Sequence, residues 1–312
     1  MNLYHALAQL TYRQILKRSY QTFPDRLKAR FFTPIYHWIK NHNPPLIRYP
    51  IGSYELWMSF DHELPLILQG YPQYTQNLVR LTQQISQEIS EFKMIDVGAN
   101  IGDTVALLNL KGSTLCIEGN PYFFKILEKN AKVLKNIELV QTLLGETSQS
   151  LQGILEYKLG TGRIIPTSDV ESLTIQTLPE VLEQYPHFRE ARLLKIDTDG
   201  FDCQVLRGAK SWLMEAKPVI FFEYDPHYLR TQKEVKLSIF KDLKDWGYFY
   251  LLIYDNVGDF MLSSTCDSIS QLKELHDYLL RKDKLYCDIC VFHELDRELF
   301  KSFQNQEHQI LP

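Results

Sequence analysis

Five short apolar runs, each closing on an acid or a turn residue, constrain this chain more than anything else in it. They are MIDVGAN (94–100), LCIEGNP (115–121), IELVQTLLGE (137–146), LLKIDTDG (193–200) and KPVIFFEYDP (217–226). Helical stretches follow the first two, at 103–110 and 121–135, and residues 201–216 link the fourth run to the fifth. Continuous apolar strands alternating with helices mark a parallel sheet covered on both faces. Two further runs, YFYLLIYD (248–255) and LYCDICVF (285–292), follow a similar pattern, with a turn at Asn256-Val257-Gly258 between them. At least one of these last strands is expected to run antiparallel. GILEYKLGTGRI and ESLTIQTL interrupt the rhythm and are expected as inserted strands around a Gly-rich turn, ahead of a helix at 179–191. The fold class is therefore α/β: a doubly wound, Rossmann-like core of seven strands over residues 92–312.

Residues 1–91 read as a cap and lead-in. Leu3, Leu7 and Leu10 have helical spacing over 3–18, and a second basic, aromatic helix is expected at 26–40, interrupted at Thr33-Pro34. Asn43-Pro44-Pro45 breaks the chain. A hairpin around Ile51-Gly52-Ser53 follows, and then a polar helix with one apolar stripe at 75–91. Residues 1–50 carry eight Lys/Arg and one acid, Asp25, which leaves about −11 for the rest of a chain whose net charge is −4. Basic helices of this kind suit docking to a partner or a membrane surface, or a solvated face of a packed cap.

The mildly acidic whole has no nucleic-acid footprint. Five scattered cysteines, Cys116, Cys203, Cys266, Cys287 and Cys290, do not make a disulfide framework. The lone Cys287-x-x-Cys290 lacks a second pair, so no metal site is expected and a reducing cytoplasm fits best. No apolar run is long enough to span a membrane, and the N-terminus does not read as a signal peptide.

The loop Asp96-Val97-Gly98-Ala99-Asn100-Ile101-Gly102-Asp103 joins the first core strand to its helix, where such sheets bind ligands. The glycines are expected to let backbone approach ligand closely. A dinucleotide fingerprint needs glycines where this chain has Asn100 and Asp103. An acid at 103 would face a diphosphate unfavourably but suits an ammonium or sulfonium. A cofactor with a positive centre and no phosphate is therefore preferred. Glu118, at the end of the second strand, is placed to bind ribose hydroxyls, and Asn120 precedes Pro121 as the N-cap of the next helix.

DVGANIGDT, IEGNPYFFKILEKN, LLGE, LLKIDTDGFDCQVLRGA and PVIFFE occur in an order and spacing that resembles the FkbM-type methyltransferases, over about residues 48–292. The resemblance implies a seven-stranded methyltransferase core, S-adenosylmethionine as cofactor and, most often, oxygen as acceptor. It places Asp96, Gly98, Asn100 and Gly102 around the amino-acid end of the cofactor, with Glu118 on the ribose and Leu144-Gly145-Glu146 near the adenine. The family's fourth-strand motif is D-x-E-G, then an aromatic and Glu. Here it reads Asp197-Thr198-Asp199-Gly200-Phe201-Asp202, with both later carboxylates one methylene shorter.

A hydroxyl acceptor loses a proton as its new bond forms, so a nearby base helps, whereas a carboxylate acceptor needs none. Asp197 and Asp199 are candidate acid/base groups, or alternatively cofactor-positioning and turn residues; Asp197 serves both lists. His227 is a further candidate base, or a loop histidine bonded to backbone. Glu223 and Tyr224, and Tyr71 and Tyr74 from the cap, are candidates for the acceptor pocket. Lys195 is expected to pair locally or cover a sheet edge. The segment up to about residue 90, with Tyr36, Trp38, Tyr49, Tyr54 and Trp57, is expected to form one wall of that pocket. The expected acceptor is a hydroxyl of a small molecule, sugar or natural product. Methyl-ester formation on a carboxylate such as a peptide C-terminus, and a non-catalytic binding role, are the alternatives.

Overall fold

Strand alternation organises the molecule. In the computed structural model, which describes residues 3–16, 23–89, 91–158, 161–166, 172–232, 234–282 and 285–310, the five apolar runs contribute strands to a central sheet. The strands in chain order are β1 (Ile47–Ile51), β2 (Tyr54–Met58), β3 (Lys93–Val97), β4 (Ser113–Ile117), β5 (Ile137–Val140), β6 (Leu143–Leu144), β7 (Gln149–Lys158), β8 (Thr161–Pro166), β9 (Ser172–Gln176), β10 (Leu193–Ile196), β11 (Val219–Tyr224), β12 (Tyr248–Asp255), β13 (Phe260–Thr265) and β14 (Cys287–His293). The sheet order is β13-β12-β14-β11-β10-β3-β4-β5. From β11 to β5 every pairing is parallel, and β14 runs antiparallel between β11 and β12. The seven expected strands are present, and β13 adds an eighth by folding back on β12.

Side chains on a strand alternate between faces. Ile95, Val97, Leu194, Ile196, Ile220 and Phe222 therefore face one layer, built from helices that include Leu178–Gln184, Asp202–Gly208 and Ile269–Leu279. The opposite face meets two apolar clusters. One joins Met94, Phe221 and Phe292 to the helices Gln76–Glu88 and Arg297–Ile310. The other joins Ile101, Val105, Cys116 and Phe123 to Ala8, Tyr12, Ile39, Leu56 and Phe60 of the N-terminal segment, so the cap and the cofactor loop share buried surface.

Several local expectations change. Residues 137–146 are not one strand: β5 stays in the main sheet, while β6 leaves it to pair with β9 in a four-stranded sheet, β6-β9-β7-β8. That smaller sheet is the expected insertion; its Gly-rich turn at 159–160 lies outside the described residues. The second N-terminal helix is continuous over Phe23–Asn41, with Pro34 inside it. Pro34 is exposed, so the carbonyl whose hydrogen bond it removes can turn to water. The first helix ends at Leu16; Lys17 and Arg18 lie outside the described residues. Among the described residues no helix is long and apolar enough to cross a membrane.

Candidate active site

The carboxyl ends of β3, β4, β10 and β11 open into a cavity of ≈390 Å³. Its floor begins at the Gly98 loop. Gly98 has φ +78°, and its N–H bonds the Ile117 carbonyl at 2.9 Å. A side chain at 98 would strike the Asp197 carbonyl oxygen. The contact between the β3 and β10 loops thus by itself requires a glycine at 98, on the wall of the cavity. Gly102, at φ +85°, likewise packs against Leu127 and Leu134 and does not line the cavity.

Glu118 is held at the end of β4 by two backbone donors, Asn100 N–H at 2.8 Å and Asn120 N–H at 2.6 Å. Burial pushes its carboxyl up to about 7 against the pull of those hydrogen bonds. Asn120 caps the helix Pro121–Asn130 by accepting from Tyr122 N–H at 2.9 Å. Gly98, Asn100, Asp103, Glu118, Asn120, Asp197 and Gly145 all line the cavity. Burial raises the Asp103 carboxyl to about 6. Lys195 is the only Lys or Arg side chain on the cavity wall among the described residues.

Asp96 does not line the cavity. It is fully buried beneath it, with Oδ1 3.1 Å from Lys195 Nζ, which also lies 3.3 Å from Asp197 Oδ2. Burial alone would lower the Lys195 ammonium, but Asp96, Asp197 and Asp103 together hold it well above its usual value. Lys195 sits on a central strand, so its role is local pairing and not the covering of a sheet edge.

Beyond Asp197 the wall is acidic. Glu223 on β11 and Asp288 on β14 are directly opposite in the antiparallel register, and both line the cavity. Like charges so placed repel. Burial, reinforced by Asp197 in both cases, pushes each well above the usual carboxylate range. Glu223 Oε1 is buried without a hydrogen-bond partner among the described residues. Both shifts favour the protonated form of each carboxyl. Asp199, at φ +50°, lines the cavity from the turn after β10. Asp202 instead braces that turn, accepting from Thr198 Oγ1 at 3.0 Å and Gly200 N–H at 3.3 Å.

Three expected acceptor residues lie elsewhere. Tyr224 follows Glu223 by one residue, so alternation sends it through the sheet to the opposite layer, where its hydroxyl meets His276 Nδ1 at 2.7 Å. His227 is drawn to backbone, with Nε2 3.2 Å from the Lys282 carbonyl, and does not line the cavity. Tyr71 is half-exposed at the end of the helix Leu64–Gly70. Tyr74 does line the cavity, as do His62, Asn77 and Leu78, so the wall comes from residues 62–78 and not from the aromatics at 36–57. Asn77 spends its Oδ1 on Leu78 N–H at 2.8 Å, and its Nδ2 is buried without a partner among the described residues. Sequence reasoning missed Asn77, Tyr286, Asp288 and the cavity position of Lys195. All five cysteines are buried, and among the described residues no group of three His, Cys, Asp or Glu side chains is arranged to hold a metal ion.

Comparison with solved structures returns methyltransferases at low similarity. One is the methyltransferase FkbM of Methylobacillus flagellatus KT, 16% identical over 43% of this chain and 32% of that one, with a TM-score of 0.31. Another is the precorrin-6y C5,15-methyltransferase of Geobacter metallireducens GS-15, 15% identical over 65% and 80%, at 0.37. A third is the tRNA (uracil-54, C5)-methyltransferase of Pyrococcus abyssi in complex with S-adenosyl-L-homocysteine, 11% identical over 79% and 44%, at 0.37. The match to the first of these spans about a third of its length. No curated protein matches the chain. The methyltransferase FkbM domain matches residues 96–267, from the buried Asp96 through β13, which is more than half of the sequence. The chain belongs to the FkbM methyltransferase domain family.

Proposed function

We propose that this methyltransferase uses S-adenosylmethionine to methylate a hydroxyl oxygen of a small molecule, sugar or natural product. The observation that supports the hydroxyl most is the acidic end of the cavity. Asp197, Glu223 and Asp288 line it, and Lys195, the one Lys or Arg on the wall among the described residues, is already paired with Asp96 and Asp197. A carboxylate acceptor there would meet more negative charge and no uncommitted Lys or Arg among the described residues. A polyanionic nucleic acid is disfavoured for the same reason.

The donor set suits the cofactor's polarity. Glu118 and Asn120 would take the ribose, Gly145 would lie along the adenine, Asp103 would face the ammonium, and the orphaned Asn77 Nδ2 offers a donor for the carboxylate. When bound, S-adenosylmethionine supplies an electrophilic methyl on a sulfonium. Asp197, exposed to the cavity, would accept the hydroxyl proton as the acceptor oxygen becomes nucleophilic. Glu223 or Asp288, where burial favours the protonated form, would donate a hydrogen bond that orients the acceptor. Five buried thiols support a reducing compartment such as the cytoplasm.

The test is incubation with methyl-labelled cofactor and a small-molecule extract, with mass spectrometry for gain of one methyl group. Label recovered in an alkali-labile methyl ester would overturn the hydroxyl assignment. No cofactor binding by calorimetry would overturn the activity itself.

A further inference from the structure

The two N-terminal helices, Leu3–Leu16 and Phe23–Asn41, pack against each other and send Ala8, Tyr12, Leu16 and Ile39 into the body. Tyr4 and Trp38 meet edge to face across them, with ring centroids 6.1 Å apart. Their outer surface is unusual. Leu3, Leu7 and Leu10 fall within roughly 60° of one another on the first helix, and Leu27, Phe31 and Trp38 do so on the second. All six are exposed; Phe31 keeps 66% of its surface in solvent and Leu27 62%. Each helix therefore carries an exposed apolar stripe, and neither stripe lines the cavity.

Charge identifies what covers them. The first 50 residues carry eight Lys/Arg against one acid, while the remainder of the chain is about −11. A second copy docking through the same segment would bring together two stretches that each carry eight Lys/Arg and one acid in the sequence. An anionic bilayer accepts both parts of the pattern: apolar side chains enter the headgroup boundary, and cations meet lipid phosphates. The acidic body is repelled by such a surface, so the helix pair alone approaches it. We propose that this helical hairpin docks the protein on an anionic membrane surface.

The full chain is sedimented with phosphatidylcholine vesicles and with vesicles of phosphatidylcholine and phosphatidylglycerol in equal parts. Binding to the mixed vesicles, weakened by salt, is expected. Leu27→Glu combined with Phe31→Glu lowers the bound fraction by about tenfold or more. These outward side chains can be replaced without changing the melting temperature. Arg30→Glu weakens binding to the mixed vesicles only, and Trp38→Phe removes the lipid-dependent shift in indole emission. Equal binding to both vesicle types, or full binding by the double variant, overturns the proposal. So does a dimer seen by light scattering without lipid that the double variant abolishes, since the stripes would then be covered by a second copy.

Discussion

Lys195 and Asp96 are direct partners across the β10–β3 pairing, and their charged groups meet 3.1 Å apart beneath the cavity floor. The ammonium reaches on to Asp197, so one buried cation ties the hidden carboxylate to the one that faces the cavity. The pair acts as a charged underlay for the site, and its removal tests that arrangement.

Lys195→Met leaves Asp96 as an unpaired buried charge and is expected to destabilise the fold by about 3–5 kcal/mol in denaturant unfolding. Asp96→Asn in the same chain should recover most of that loss, because the uncompensated charge is gone. If the two losses simply added, the pair would not be coupled.

Glu118→Ala removes the acceptor for the N–H groups of Asn100 and Asn120 and should weaken S-adenosylmethionine binding by about 1–3 kcal/mol. Calorimetry reads this directly. An unchanged dissociation constant removes Glu118 from the cofactor site.

The Glu118 carboxyl is raised from 4.5 to about 7, so the folded state holds its proton more tightly than the unfolded state. Its contribution to stability is therefore fullest below about 4.5 and is lost as pH rises through about 7. The loss is about 3 kcal/mol for the protein without ligand. Asp103 acts with the same sign between 3.8 and about 6. Glu118→Gln should flatten the upper part of the pH–stability curve. Cofactor affinity should run the other way and increase with pH through about 7, since the ionised carboxylate is the better ribose acceptor. Affinity that falls over that range contradicts the ribose role.

Asp197→Asn should lower turnover by about 10²–10⁴-fold if Asp197 is the base. His227→Ala, whose ring bonds the Lys282 carbonyl, should turn over as the wild type does. A loss confined to the Michaelis constant in Asp197→Asn would point to binding alone.

Much of this site was legible because it sits at strand ends. The order of the apolar runs and the Gly98–Asp103 loop point to Glu118, Asn120 and Asp197, all of which line the cavity. Tyr224 lies away from the cavity because the residue after a strand-end acid points through the sheet, and Tyr71 and His227 because proximity in sequence does not imply the cavity. Asp288 was overlooked although it carried a signal. Asp96, Lys195, Glu223 and Asp288 each interrupt an otherwise apolar strand, and their positions in the register put all four on one face. The register between β11 and β14 joins residues 65 apart, which no local pattern reveals. The break between β5 and β6 falls at Gln141-Thr142, two polar residues with no Gly or Pro beside them, so no turn signal marks the point where the chain changes sheets.

Asn130, fully buried at the end of its helix, uses its side-chain amide as an extra strand would. Its Oδ1 accepts Trp57 N–H at 2.7 Å, and its Nδ2 donates to the Trp57 carbonyl and to the Ile101 carbonyl, both at 2.9 Å. The β2 hairpin and the glycine loop are thereby fastened to one amide. The Trp57 ring lies against the charged ends of Arg48 and Lys129, at 4.4 and 3.6 Å from its centroid. A ligand that shifts the loop at Ile101 pulls on the same amide that holds the Trp57 backbone. The protein thus carries its own optical gauge of loop movement: cofactor titration should change the emission of Trp57, and Trp57→Phe should silence that change.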